Sequence, residues 1–163
     1  MTYSRIGVIG AGIMGEAVIT SLLLAGIDSG SITIVEKREE RRKEIVDRLK
    51  VNSESISECD VVLLLVKPQD LHSTLLQIKN DLRMDALVVS FIAGKKLSTM
   101  EEVIGSQHRT IRVMPNTPMT AGKGFAVLSP GDHASDEDIA WLTRVLSLAI
   151  DQRDRNFLTK FFF

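Results

Sequence analysis

The sequence predicts an α/β domain built on a doubly wound, mostly parallel sheet with helices on both faces. Three observations lead there. Short β-branched runs alternate with helix-forming stretches, one run is apolar enough to be covered on both faces, and a glycine-rich turn joins the first run to the first helix.

The elements follow in order. Ile6 to Ile9 is an apolar run that ends in Gly10, and residues 13–25 carry helix formers with apolar side chains on several faces, as a buried helix requires. Gly26 fits a helix stop, and Ile32-Thr33-Ile34-Val35 is the next strand. Glu39 to Leu49 reads as a charged helix whose inward stripe is Ile45, Val46 and Leu49. Asp60 to Val66 is the strand covered on both faces, and Pro68 stands where a helix begins. Leu87 to Ala93 and Thr110 to Met114 repeat the strand pattern, with a helix over Ser98 to Ile104 between them. Phe125 to Leu128 lies so close behind Met114 that an antiparallel edge strand is expected. Ser135-Asp136-Glu137-Asp138 is a helix N-terminus with acidic residues suited to the helix dipole, and Ile139, Leu142, Val145 and Leu146 form one apolar stripe. One domain over residues 1–149 is expected to close there. Residues 150–163 form an atypical tail, with four of the chain's eight aromatics at Phe157, Phe161, Phe162 and Phe163.

Composition excludes several function classes. Twenty basic and 21 acidic residues in 163 leave a net charge of −1, so neither nucleic acid nor an anionic membrane is an expected partner. No segment approaches the ~18 apolar residues of a membrane span, and the N-terminus has no signal-peptide core. A single cysteine, Cys59, forbids an internal disulfide, and no Cys/His spacing suggests a metal site. The cytoplasm is the expected location. Cys59 reads as a small buried filler, and His72, His108 and His133 as scattered surface residues.

The chemistry begins at Gly10-Ala11-Gly12-Ile13-Met14-Gly15, a GxGxxG turn between strand and helix. A helix N-terminus presents unpaired N–H groups and positive dipole, and glycines at 10 and 12 let a diphosphate approach. Gly15 lets helix and strand pack closely. Glu36, 21 positions after Gly15, stands where a carboxylate accepts the ribose hydroxyls of NAD. Lys37, Arg38, Arg41 and Arg42 follow it and suit the 2′-phosphate of NADP. NADP is therefore the expected cofactor, with NAD the alternative. Val66-Lys67-Pro68 and Ala93-Gly94 end parallel strands, the edge at which ligands bind in open α/β sheets. In Arg112-Val113-Met114-Pro115-Asn116-Thr117-Pro118, two prolines fix the backbone around two hydrogen-bonding side chains.

These residues together resemble the pyrroline-5-carboxylate reductases. The match comprises GAGIMGEA at 10–17, VKPQDL at 66–71, IAG at 92–94, RVMPNTP at 112–118 and GKGFAVL at 122–128, and the similarity covers residues 5–149. The resemblance implies a Rossmann domain, NADPH or NADH as hydride donor, and reduction of the C=N bond of 1-pyrroline-5-carboxylate. It implies cofactor contacts from Gly10 to Gly15, Lys37, Arg38, Val66 to Pro68, Ala93, Gly94 and Met114 to Thr117, with Asn116 nearest the nicotinamide. Members of that family continue into a helical domain that forms the homo-oligomer and contributes substrate contacts, and no matching stretch is present here. The Phe-Phe-Phe ending suggests a truncated product or an altered reading frame. No residue is assigned a catalytic role. The isolated chain is expected to bind NADP(H) and reduce pyrroline-5-carboxylate poorly. A non-catalytic NADP-binding or regulatory paralogue is the second reading, and a reductase like the β-hydroxyacid dehydrogenases, which share a GxGxMG turn, the third.

Overall fold

A computed structural model describes residues 3–115 and 126–150. Its frame is a six-stranded sheet of β1 (Ile6–Ile9), β2 (Ile32–Val35), β3 (Val61–Leu64), β4 (Leu87–Ser90), β5 (Arg109–Pro115) and β6 (Ala126–Pro130). The order across the sheet is β2-β1-β3-β4-β5-β6. Every pairing is parallel except β5 with β6, where Met114 faces Val127 in the antiparallel edge ladder. Beyond β2, Asn52 forms a parallel bridge with Thr33, donating to the Ile32 carbonyl and accepting from the Ile34 N–H. That bridge extends the sheet by one residue on the β2 side, a feature that Val51-Asn52 is too short to announce.

Alternation along the strands builds two cores. Ile6, Val8, Leu63, Val89, Ile111 and Val113 point to one face, where α1 (Ile13–Leu24), α2 (Glu39–Leu49) and α5 (Asp136–Ile150) pack. Val18, Ile19 and Leu22 of α1 meet Leu142, Val145 and Leu146 of α5 there. Ile9, Val62, Leu64 and Val88 point to the other face, covered by α3 (Leu71–Ile78) and α4 (Leu97–Ile104) through Leu71, Leu75, Met100 and Ile104. β3 is buried at all four positions, the consequence of helices on both sides. Of the α2 stripe, Ile45 is fully buried, and Val46 and Leu49 pack at its rim.

Three differences from the sequence reading have physical causes. β3 and β4 end at Leu64 and Ser90, not Val66 and Ala93, because the chain leaves the ladder there to wall a cleft. Pro68 opens a 3₁₀ turn, Pro68–Asp70, before α3 continues it. His108 is not a surface residue: it is 3% exposed, tucked inward as the chain turns from Gly105 into β5. Its Nδ1 has no partner, and burial pushes its pKa down. His72 and His133 are exposed as expected, and Cys59 is buried, its thiol pushed up to about 11 by desolvation.

The lower edge of the sheet is tied to α5 by a polar knot. Asp138, wholly buried, accepts from the Tyr3 hydroxyl, from Arg109 Nη1 at 2.6 Å and from the Ser135 N–H at 2.8 Å. The Ser135 hydroxyl accepts in return from the Asp138 N–H, a capping box that starts the helix. Tyr3 also stacks edge-on against Trp141, and burial followed by the Asp138 contact pushes its pKa up to about 12.

Candidate dinucleotide site

The site is built at the C-terminal edge of the sheet, between β1 and β3, where the strand order reverses. β1 runs into Gly10, whose φ of +96° suits glycine, and a Cβ there would lie 2.7 Å from the Leu65 carbonyl oxygen. Gly15 is pressed against the same turn, since a Cβ would fall 2.0 Å from the Gly10 oxygen. Gly12 differs. A Cβ there meets nothing within 4 Å, so its missing side chain opens space above the helix rather than relieving a clash. Gly12 is also the N-cap of α1 and supplies no side-chain cap, which leaves the first-turn N–H groups facing that space.

Two side chains pin this turn. Glu36 Oε2 accepts from the Ala11 N–H at 3.0 Å, and Arg41 Nε donates to the Ala11 carbonyl at 2.9 Å. Arg41 also pairs with Glu44 and Glu16, and Glu16 with Arg48, so α1 and α2 are joined by a charged network. The guanidinium of Arg41 is thereby committed to the scaffold, which removes it from the residues suited to a 2′-phosphate. Burial alone would raise the Glu36 carboxyl, but the hydrogen bonds from Arg38 and Ala11 outweigh it and hold the pKa below the usual range.

A cleft of about 440 Å³ runs from the turn between β2 and α3. Gly10 and Gly12 form its floor, Glu36, Lys37 and Arg38 one rim, and Val66 and Lys67 the opposite wall. Lys37 Nζ reaches to 3.9 Å from Asp70 Oδ1 across the mouth. A second cleft of about 310 Å³ continues past Leu65 and Val66, lined by Met14, Pro68, Phe91, Ala93, Met114 and Pro115. Gly94, at φ +70°, is exposed beside Ala93, and Ile13 stands 81% exposed in the first turn of α1. Asn116 and Thr117 lie outside the described residues. The remaining predicted residues therefore converge on one edge, one end polar and basic, the other apolar.

Sequence reasoning missed the α3 side of the first cleft, Gln69, Asp70, Thr74 and Gln77. The i, i+4, i+7 spacing of Asp70, Thr74 and Gln77 on a helix begun by Pro68 is the signal that finds them. Arg112, which heads the proline-flanked segment, donates to the Lys95 carbonyl at 3.2 Å and contacts the Sδ of Met114, a residue of the second cleft, at 2.7 Å. Among the described residues no cluster of three or more His, Cys, Asp or Glu is placed to hold a metal ion, and no helix is long and apolar enough to cross a membrane.

The family model described as NADP oxidoreductase, coenzyme F420-dependent, matches residues 5–94, more than half of the chain. The chain belongs to that family. It is also similar to curated pyrroline-5-carboxylate reductases: 35% identical over 156 residues to that of Corynebacterium melassecola, with 91% of this chain and 58% of the relative covered. It is 34% identical over 153 residues to that of Methanosarcina acetivorans, with 90% and 57% covered. The chain thus spans somewhat over half the length of these relatives. Among solved structures, a pyrroline-5-carboxylate reductase from Coxiella burnetii superposes with a TM-score of 0.84 at 22% identity, over 91% of this chain and 57% of that one. The Plasmodium falciparum pyrroline carboxylate reductase with NADP bound superposes at 0.72 and 25% identity, over 89% and 55%. Prephenate dehydrogenase from Aquifex aeolicus, at 17% identity and a TM-score of 0.74 over 91% and 58%, shares the fold. The fold is therefore Rossmann-like, as the sequence implied.

Proposed function

We propose that the chain is the cofactor-holding part of an NADPH-dependent pyrroline-5-carboxylate reductase of proline biosynthesis, acting in the cytoplasm. The observation that carries this reading is the pairing of an uncapped glycine turn with a basic rim at Lys37 and Arg38, in a chain about a third identical to curated reductases of that name. The space over Gly12 fits a diphosphate, because it is open and bordered by free helix N–H groups. A bound nicotinamide supplies the hydride that reduces the C=N carbon of 1-pyrroline-5-carboxylate. The chain's own part is to bind, orient and exclude water.

In this reading Gly10, Gly12 and the amides of Ile13, Met14 and Gly15 hold the diphosphate. Lys37 and Arg38, the basic rim of the first cleft, take the 2′-phosphate, and the Plasmodium relative was solved with NADP bound. Val66 to Pro68, Ala93 and Gly94, together with Met114 to Thr117, supply the remaining cofactor contacts, with Asn116 assigned to the nicotinamide and substrate. The apolar lining of the second cleft, Met14, Phe91 and Met114, keeps water from the ring face. A further domain, which the longer relatives have room for, completes the substrate pocket and the homo-oligomer. The test is NADPH oxidation with pyrroline-5-carboxylate, by the chain alone and by the chain joined to the C-terminal portion of the Corynebacterium relative. The chain alone should turn over poorly and the fusion should recover activity. A fusion that binds NADPH but never reduces this substrate contradicts the assignment.

A further inference from the structure

The position just after β2 invites an obvious reading, in which Glu36 accepts ribose hydroxyls and repels a 2′-phosphate. The geometry points elsewhere. Oε2 of Glu36 is taken by the Ala11 N–H at 3.0 Å, and Oε1 by the Arg38 N–H at 3.0 Å and Arg38 Nε at 3.1 Å. Three of the roughly four acceptor sites of a carboxylate are thus filled from within the chain. The side chain of Glu36 is only 9% exposed, whereas that of Arg38 is 66% exposed and lines the cleft.

Resting on the NADPH reading above, we propose that Glu36 is a positioning residue for the 2′-phosphate: it grips Arg38 by its Nε edge and so presents the two Nη groups to the cleft. Among the described residues neither Nη has an acceptor closer to hand. A guanidinium offered by its outer fork matches a phosphate with two parallel hydrogen bonds. The carboxylate charge is covered by its three donors, and the neighbouring Lys37 adds a second cation at the rim, which is held by nothing nearer than Asp70 at 3.9 Å. Glu36 also fixes the turn through Ala11, so a single side chain sets both the diphosphate floor and the phosphate fork. Arg38 is itself the N-cap of α2, with extended backbone (φ −80°, ψ 111°), so the Glu36 contact to its N–H orders the residue at backbone as well as side chain.

The test uses the whole chain and reads the ratio of NADH to NADPH dissociation constants, with 2′,5′-ADP and 5′-ADP as probes of the phosphate alone. Glu36→Gln should lower that ratio about tenfold, the loss expected of one charge-assisted hydrogen bond. Glu36→Asp, which keeps the charge but is too short to span Ala11 and Arg38 together, should lower it as well. In an Arg38→Ala background, where the ratio is already reduced, Glu36→Gln should change it no further, since the effect passes through Arg38. A circular-dichroism spectrum and melting transition like those of the unsubstituted chain verify that each variant folds, and the ratio cancels any loss at the diphosphate floor that both cofactors share. A ratio that rises or stays constant in Glu36→Gln, or that still falls without Arg38, overturns the proposal while leaving NADPH binding intact. Absence of any NADPH binding by the unsubstituted chain overturns both readings.

Discussion

At the scale of single residues, three glycines of one turn do different work, and substitution separates them. Gly15→Ala drives a methyl into the Gly10 carbonyl and should cost at least about 2 kcal/mol of stability, as overpacking against backbone does. Gly12→Ala meets open space, so melting should shift by only about a degree or two while NADPH affinity falls at least about tenfold, the methyl standing in the space proposed for the diphosphate. Equal loss of stability in both variants, read by thermal denaturation, would contradict this division. His108 makes a pH prediction. Its folded pKa lies below the unfolded value because the charged form is desolvated, so the unfolded chain binds the extra proton between the two. Stability from this group is complete above the unfolded pKa near 6.5 and declines as pH falls toward the folded pKa. Melting temperature followed from pH 7.5 to 5 should fall less steeply in His108→Gln than in the unsubstituted chain. The sequence did not reveal this burial, because a lone polar residue between Gly105 and β5 carries no periodicity to read.

At the scale of elements, the strands and helices were legible because each obeys a period: Ile6 and Val8 inward to one face, Ile9 and Val62 to the other, and Ile139, Leu142, Val145 and Leu146 along one side of α5. Less legible were the points where elements meet by polar contact. The Ser135 capping signal was visible, but that Asp138 reaches across to Arg109, 29 positions earlier, and to Tyr3, 135 positions earlier, depends on the fold. Removing this carboxylate leaves Arg109 without its ion pair at a side chain only 19% exposed. Asp138→Ala should therefore cost about 3–5 kcal/mol, more than most surface changes, and loosen α5 from the sheet. Denaturant unfolding measures the first effect and amide exchange along α5 the second. A loss under about 1 kcal/mol would show that packing of Leu142 and Val145 alone holds the helix.

At the scale of the molecule, the glycine turn, the basic rim and the ends of β3, β4 and β5 lie at one edge because a parallel sheet brings every strand's C-terminus there. That is why residues as distant as Gly10, Lys67, Ala93 and Met114 were readable from the sequence as gathering at one edge. The α3 wall and the committed state of Arg41 were not readable, since both depend on which way a helix is turned. The proposals above all require that this edge holds NADP(H). Titration of the chain with NADPH and with NADH, followed by calorimetry, tests it most directly. Saturable one-site binding with NADPH several-fold tighter than NADH is the predicted result, and no binding, or tighter binding of NADH, would contradict it.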